Sequence, residues 1–257
     1  MIYPTWFDDI IRCPETGNKL SRVQDGYIRA DGVKYFIQNN ILSLVYPPSL
    51  TGHDAKFNQL YNIIAPFYDL SERILGRLIT GMDIVEGRKD IVSRLHIPAG
   101  ARLLEVSPGP GVFQKYIREY LTPQGEFVSL DLSLKMLRQC QLRNSALDIK
   151  LVHGNAQFLP FADNSFDVLF HFGGVNLFND PNKAIQEFVR VVKKNGIVSW
   201  GDEGFSKNYT NKMRKKILSK MNPGFLKPAP AIPDTLLDVH LYEVFGGLGY
   251  LVTSRKK

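Results

Sequence analysis

The chain has 257 residues, 44% of them hydrophobic, and it contains two cysteines. This length can bury a full core with room for an added module, whereas two cysteines can build neither a disulfide framework nor a four-thiolate zinc site. The formal net charge of +7 is concentrated locally, with five basic residues and no acid between Lys212 and Lys220. A general nucleic-acid binder, which needs a broad positive surface, is therefore disfavoured.

The first ten residues, MIYPTWFDDI, carry acids where a signal peptide carries basic residues. No apolar run approaches the ~18 residues that span a bilayer. We therefore expect a cytoplasmic protein.

Residues 1–48 are rich in β-like patterns. The short runs GYIRA and KYFIQNNILSLVY are separated by turn signals such as Asp31-Gly32. The stretch YPPSLTGHD then supplies two prolines and a glycine, as linkers do. The pattern predicts a small β-rich module at 1–48, followed by a larger domain at 55–257.

Strands and helices alternate through the larger domain. Apolar residues recur at helical spacing between Asn58 and Leu95, and β-like runs then alternate with helical patterns as far as Trp200. The β-like runs are ARLLEV, EFVSLDL, IKLVHG, FDVLFHF and GIVSWG. This alternation predicts an α/β fold with a parallel sheet, in which ligands bind beyond the carboxyl ends of the strands.

The stretch RLLEVSPGPGVF places two glycines directly after the first of these strands. Glycine lets the backbone approach a ligand closely, and the helix that begins near Val112 directs its free amides toward that ligand. A pyrophosphate and a nucleoside with a smaller group both suit such a loop. The dinucleotide fingerprint GxGxxG is absent, because Ser107, Gly109 and Gly111 stand at alternate positions.

The loop resembles that of the class I S-adenosylmethionine (SAM)-dependent methyltransferases, in particular the type 11 group that includes ubiquinone and menaquinone C-methyltransferases. The family pattern acid-x-Gly-x-Gly-x-Gly is matched by Glu105, Ser107, Gly109 and Gly111. GNAQFLPFADNSFDVLF, from Gly154 to Phe170, resembles the family's GDAxxLPFxDxSFDxV. The resemblance covers residues 61–200 and implies a Rossmann-like, seven-stranded sheet with helices on both faces and SAM as cofactor.

The resemblance also implies which residues bind SAM. Asp131 matches the acid that accepts hydrogen bonds from both ribose hydroxyls, and Asn155 stands where the family usually has the aspartate that accepts from adenine. Tyr68, with Tyr61 as an alternative, matches a helix that closes over the cofactor, although both rings also suit core packing. The full cofactor set is Tyr68, Glu105, Ser107, Gly109, Gly111, Asp131, Leu132, Asn155, Ala156 and Gln157.

Methyl transfer from an activated sulfonium mainly requires alignment, and an oxygen or nitrogen acceptor also has to lose a proton. Candidate catalytic bases are His171, at the end of the fourth strand, and Asp202 and Glu203, after the fifth. The structural alternatives are a buried histidine bonded to backbone and two solvated loop acids.

The family pattern places the cofactor-binding core at 83–202, a lid or substrate region at 203–235 and a C-terminal strand pair at 240–257. Within the lid, NYTNKMRKKILSKMNPGF predicts an amphipathic basic helix with Met213, Ile217 and Met221 on one face. Such a helix suits peripheral contact with an anionic membrane, an acidic substrate or a solvated face.

IIRCPETGNKL, near the start of the chain, resembles a small zinc-ribbon-like domain that is a partner or fusion of some methyltransferases, of which some act on RNA. Cys13 stands alone here, so the metal cysteines are missing and no metal is expected.

The resemblance implies an enzyme, an SAM-dependent methyltransferase acting on a small or lipid-like molecule. An RNA methyltransferase is an alternative, suggested by the N-terminal module and the basic helix, although an NPPY-type segment is absent. A non-catalytic scaffold that keeps the fold is a second alternative, suggested by Ser107 and Asn155.

Overall fold

One eleven-stranded sheet organises the computed structural model, which describes residues 3–64 and 83–257. The strands are β1 (Ser21–Val23), β2 (Gly26–Ile28), β3 (Lys34–Gln38), β4 (Ile41–Ser43), β5 (Arg102–Val106), β6 (Glu126–Asp131), β7 (Lys150–His153), β8 (Phe166–Phe172), β9 (Val192–Glu203), β10 (Leu236–Val244) and β11 (Gly249–Lys256). Their order across the sheet is β1-β2-β3-β4-β7-β6-β5-β8-β9-β11-β10. Strands β5 to β9 are parallel to one another, and β11 runs antiparallel between β9 and β10. The predicted α/β fold with a largely parallel sheet is confirmed.

The expected seven strands correspond to β5 to β11, and the total has to be corrected to eleven. Strand β4 pairs in parallel with β7, with Ile41 opposite Leu151 and Ser43 opposite His153. An unpaired β7 would expose a row of backbone donors and acceptors, and β4 satisfies them. The N-terminal strands are therefore a continuation of the same sheet.

Helices cover both faces of this sheet. They are α1 (Thr5–Ile10), α2 (Gly52–Ile64), α3 (Ile84–Ser93), α4 (Gln114–Tyr120), α5 (Leu134–Arg143), α6 (Pro181–Val191) and α7 (Lys212–Met221), with short 3-10 turns at Val175–Leu177, Pro223–Leu226 and Phe245–Gly247. None of the helices in the described part of the chain is both long and apolar enough to cross a membrane.

Alternation along the strands divides the core between the two faces. Leu104 and Val106 of β5 face the same side as α1 and α6, whereas Leu103 faces α3 and α4. Residues of the N-terminal segment, including Tyr3 and Phe7, belong to the first of these clusters. The segment therefore packs into the same core as the larger domain.

The run KYFIQNNILSLVY, predicted as one β segment, is two strands. Asn39 and Asn40 have φ values of 50° and 65° and turn the chain between β3 and β4. A two-residue hairpin turn of this kind needs positive φ at both positions, which asparagine tolerates better than most residues.

Contacts from Tyr3 and from α1 attach the N-terminal segment to the sheet. The Tyr3 hydroxyl donates to the backbone carbonyl of Leu151 and accepts from the backbone N–H of Leu42 at 2.9 Å. The guanidinium of Arg102 lies 4.1 Å from the ring centroid of Trp6. These contacts join strands that are far apart in the sequence.

A polar cluster surrounds Cys13. Its sulfur lies 3.2 Å from the Tyr35 hydroxyl and 3.6 Å from Arg29 Nη1, and Arg29 also pairs with Glu15 and Asp31. Across residues 3–64 and 83–257, no group of three or more histidine, cysteine, aspartate or glutamate side chains is placed to hold a metal ion.

Candidate functional site

The loop after β5 is hydrogen-bonded to the acid at the end of β6. The Gly109 N–H donates to Asp131 Oδ2 at 3.0 Å, and the Ser133 N–H donates to Oδ1 at 2.8 Å. Asp131 is 8% exposed, and burial raises its pKa to about 6. Each carboxylate oxygen can accept more than one hydrogen bond, so donors of a ligand can add to the two backbone bonds.

Two glycines of this loop are required for different reasons. Gly109 has φ of 55°, and a Cβ added there would meet no atom within 4 Å, so the loop borders open space. Gly111 has φ of 76°, and an added Cβ would lie 2.4 Å from Asn144 Nδ2. The room beside Gly109 is what a cofactor lying against main chain needs, whereas Gly111 is fixed by packing.

The same kind of open space lies at the end of the neighbouring strand β8. Gly173 and Gly174 have φ values of 91° and 89°, and an added Cβ at either would meet nothing within 4 Å. The ends of β5 and β8 are adjacent in the sheet. They thus border open space at the position where parallel sheets bind ligands.

Ser107 replaces the first glycine of the family pattern, and its backbone keeps the conformation that suits glycine. Its φ is 56°, in the left-handed region, while its N–H donates to the Leu130 carbonyl at 2.7 Å. A residue with a Cβ pays roughly 1–2 kcal/mol for this conformation. The loop therefore carries backbone strain at this position.

We expect Ser107→Gly to raise the free energy of unfolding by about 0.5–1 kcal/mol, because relief of the strain exceeds the added entropy of an unfolded glycine. Urea unfolding of the two proteins measures the difference. Ser107→Ala is the matched control, which keeps the Cβ and should leave stability unchanged. A loss of stability in the glycine variant would contradict this account of the loop.

Glu105 is held inside the protein beneath the glycine loop. Its Oε2 accepts from Gln114 Nε2 at 3.1 Å and from the Ser129 hydroxyl at 3.0 Å. Gln114 also exchanges hydrogen bonds with the Cys140 thiol. Burial raises the pKa of Glu105 to about 7. The geometry favours a role in supporting the loop and the start of α4.

This burial predicts a pH dependence of stability. Because the folded-state pKa of Glu105 lies above its ordinary value of 4.5, its contribution is greatest below pH 4.5 and is lost as the pH rises through about 7. Glu105→Gln keeps an oxygen for both donors and removes the charge. We expect it to raise the free energy of unfolding by about 3 kcal/mol at pH 8 and by much less at pH 4.5.

Urea unfolding between pH 4.5 and 8 checks this, with the exposed Glu119→Gln as control. Parallel pH profiles for wild type and Glu105→Gln would show that Glu105 does not titrate as described.

A second buried network surrounds the loop after β7, where adenine binding was predicted. Asp54 Oδ2, on α2, accepts from Asn155 Nδ2 at 3.3 Å and from Gln157 Nε2 at 2.6 Å. Asp54 Oδ1 accepts from the Asn179 N–H at 3.0 Å, and Asn155 Oδ1 accepts from the Gln157 N–H at 3.0 Å. The network joins α2 to the loops that follow β7 and precede α6.

Hydrogen bonds that involve backbone groups also connect residues next to the predicted adenine site. The Leu132 carbonyl lies 3.1 Å from His153 Nε2, and the Gly154 N–H donates to the Asp131 carbonyl at 2.9 Å. Ala156 is buried. The ends of the adjacent strands β6 and β7 are therefore connected.

His171, a candidate base, is completely buried on the α6 side of the sheet. Its Nδ1 donates to the Val106 carbonyl at 2.9 Å, and its ring lies between those of Phe178 and Phe188 at centroid distances of 5.4 and 5.7 Å. Burial lowers its pKa to about 4, so the ring is neutral near pH 7. Its Nε2 has no partner among the described residues. This arrangement favours the structural alternative over contact with substrate.

Asp202 and Glu203 hold loops at the carboxyl end of β9. Asp202 is 2% exposed and accepts from the backbone N–H groups of Gly174, Asn176 and Glu203, each at 2.8 Å. Burial raises the pKa of Asp202. Glu203 accepts from Asn222 Nδ2 at 2.5 Å. Both acids lie at the predicted edge of the sheet, and their bonds fix the loop after β8 and the segment after α7.

Sequence analysis missed Asp54, Gln114 and Asn144. Asn144 Nδ2 donates to the Gly111 carbonyl at 3.0 Å, so it supports the glycine loop from α5. Gln114 follows Gly111 by three residues, which places it in the first turn of a helix, whereas Asp54 has no signal in the sequence. Tyr68 lies outside the described residues. The binding and catalytic roles of the predicted residues stay predictions.

Comparison with known proteins finds methyltransferases that are similar to this chain. Residues 104–199 match the type 11 family, described as a methyltransferase domain. Demethylmenaquinone methyltransferases of Geobacillus stearothermophilus and Renibacterium salmoninarum are 29% and 34% identical over 56% and 53% of this chain. The matches cover 61% and 54% of those proteins, so the chain spans a little over half the length of these curated relatives.

A solved SAM-dependent methyltransferase from Thermotoga maritima has the same fold, with a TM-score of 0.53 over 77% of this chain and 99% of that one, at 18% identity. The fold, the glycine loop and the family match together define a class I SAM-dependent methyltransferase fold. The resemblance found in the sequence is confirmed in this respect.

Proposed function

We propose that the chain transfers a methyl group from SAM to a small or lipid-like molecule. The observation that carries the proposal is the hydrogen bond between Gly109 and Asp131, which joins the glycine loop to an acid across adjacent strand ends. The named activity of the two demethylmenaquinone methyltransferases supports a quinone-like acceptor. A cytoplasmic location remains a prediction.

Bound SAM would supply a methyl group on a positively charged sulfur. Asp131 would accept from the ribose hydroxyls, and the open side of Gly109 would receive the amino-acid end. His171 donates a hydrogen bond to a backbone carbonyl, and Asp202 accepts hydrogen bonds from backbone N–H groups. Alignment of the acceptor and exclusion of water are therefore the main contributions that we assign to the protein.

Calorimetric titration with SAM and with its demethylated product tests the first half of this proposal, with NAD as a matched control nucleotide. We expect binding of both SAM compounds at micromolar concentrations and none of NAD. Failure to bind SAM would favour the scaffold alternative.

Transfer of labelled methyl from SAM tests the second half, with reduced demethylmenaquinone and a structured RNA offered separately. We expect label in the organic extract and none on RNA. Label on RNA alone would overturn the proposed acceptor and support the RNA alternative, which the basic charge of the lid favours.

A further inference from the structure

The segment from Gly204 to Pro233, here called the basic segment, carries the charge imbalance of the whole chain. It contains seven of the 32 lysines and arginines and none of the 25 aspartates and glutamates. The formal excess of the chain is also seven. The formal charges of the remaining residues therefore sum to zero, and the net positive charge of the whole protein comes from this segment.

The basic segment also exposes large apolar side chains. Met213, Ile217 and Met221 on α7 are 73%, 45% and 60% exposed, and Leu226 in the adjoining turn is 64% exposed. Leu218 is buried and attaches the helix to the protein. Because the three exposed residues of α7 are four positions apart, they form one row on the helix.

A row of lysines lies beside this apolar row. Lys212, Lys216 and Lys220 are exposed, and each precedes one of the apolar residues in the sequence. The same spacing of four places them in a second row, rotated by one residue about the helix axis. A helix with an exposed apolar row flanked by cations suits the boundary between lipid headgroups and acyl chains.

The basic segment is hydrogen-bonded to residues at the carboxyl ends of β8 and β9. Asn222 donates to Glu203 at the end of β9, and Lys227 Nζ donates to the Asn176 carbonyl at 2.8 Å in the turn after β8. A surface that contacts α7 would therefore lie near the loops that follow β8 and β9.

We propose that α7 and the adjoining turn dock the protein on an anionic lipid bilayer. Binding to RNA phosphates would use the lysines but would leave the methionine row exposed, and the row contains no aromatic side chain on which a base can stack. Pairing of two copies through α7 would bring two rows of lysines together, and like charges would repel. An anionic bilayer can bind both rows at once, because its headgroups attract the lysines and its acyl chains receive the apolar side chains. The proposal is independent of SAM binding.

Co-sedimentation of the full chain with vesicles tests it. We expect binding to vesicles of phosphatidylcholine in which about one lipid in three is phosphatidylglycerol, and at least about tenfold weaker binding to phosphatidylcholine alone. The Lys212→Gln, Lys216→Gln, Lys220→Gln triple variant should lose about 100-fold in partition coefficient. The Met213→Gln, Met221→Gln double variant should lose about tenfold or more.

Matched controls use exposed residues elsewhere. Leu142→Gln removes an apolar side chain that is 71% exposed on α5, and the Lys34→Gln, Lys89→Gln, Lys194→Gln triple variant removes three exposed charges. Neither should reduce vesicle binding by more than about twofold. Thermal melting of every variant verifies that it folds.

Three outcomes would overturn the proposal. The first is equal binding of wild type and both α7 variants to the anionic vesicles. The second is absence of vesicle binding together with RNA binding that only the lysine variant loses. The third is absence of vesicle binding together with a dimer that only the methionine variant dissociates. Because these measurements need no SAM, their failure is distinct from failure of the proposed methyl transfer.

Discussion

Replacing Asp131 with alanine is expected to weaken SAM binding by about 100-fold or more. Two charge-assisted hydrogen bonds from ribose hydroxyls would be lost, each contributing roughly 1.5–3 kcal/mol. The Gly109 N–H would lose its acceptor as well, which would loosen the glycine loop. Calorimetric titration with SAM measures the affinity.

The matched control is Asp148→Ala, because the Asp148 side chain is 71% exposed near the start of β7. It should leave the affinity unchanged. Asp131→Asn retains one acceptor oxygen and should fall between wild type and alanine. Equal affinities of wild type and Asp131→Ala would show that the ribose acceptor is placed wrongly.

The affinity of wild type should also depend on pH in a defined direction. Burial raises the pKa of Asp131 to about 6, and only the ionised carboxylate offers both oxygens as acceptors. Affinity should therefore weaken as the pH falls through about 6, and the step should disappear in Asp131→Asn. The same titrations at pH 5 and pH 8 measure it.

The second large effect is expected in the network of Asp54 and Asn155. Asn155→Asp introduces a carboxylate beside Asp54 and removes the donor that spans 3.3 Å to Asp54 Oδ2. We expect it to lower the free energy of unfolding by about 2–3 kcal/mol at pH 7.5, because two buried like charges then face each other.

The reciprocal double variant tests the pairing itself. Asp54→Asn combined with Asn155→Asp restores one carboxylate and one amide at the same place, with Gln157 still able to donate to either. We expect the double variant to be at least about 1 kcal/mol more stable than Asn155→Asp alone. Urea unfolding of all four proteins completes the cycle. Additive losses in the double variant would show that Asp54 and Asn155 do not interact as described.

The network gives a physical reason for an unusual residue in the sequence. The family resemblance leads one to expect aspartate at position 155, and the chain has asparagine. Asp54 lies 101 residues earlier and already supplies the carboxylate at this place. No local pattern reveals such a partner, since Asp54 lies in the first turn of α2 and Asn155 lies in the loop after β7. The asparagine at position 155 was visible in the sequence, whereas its partner Asp54 could be identified only from the structure.

The core strands and the loop after β5 could be predicted because their sequence signals are local. Each is encoded locally, by apolar runs for β5 to β8 and by glycines at positions with positive φ such as Gly109 and Gly111. The union of the N-terminal strands with the main sheet was missed, because hydrophobic periodicity describes a strand and does not name its neighbour. The burial of His171 was likewise open, since a strand end can place a histidine on either face.

The pairing of β4 with β7 has a consequence for folding during synthesis. Ser43 lies beside His153, a separation of 110 residues. During translation, β1 to β4 are synthesised well before β7, and the main-sheet residues that cover their apolar side chains are not yet present. Contacts over such distances also slow the search for the native topology. Strand β4 therefore completes its pairing only after β7 has been synthesised.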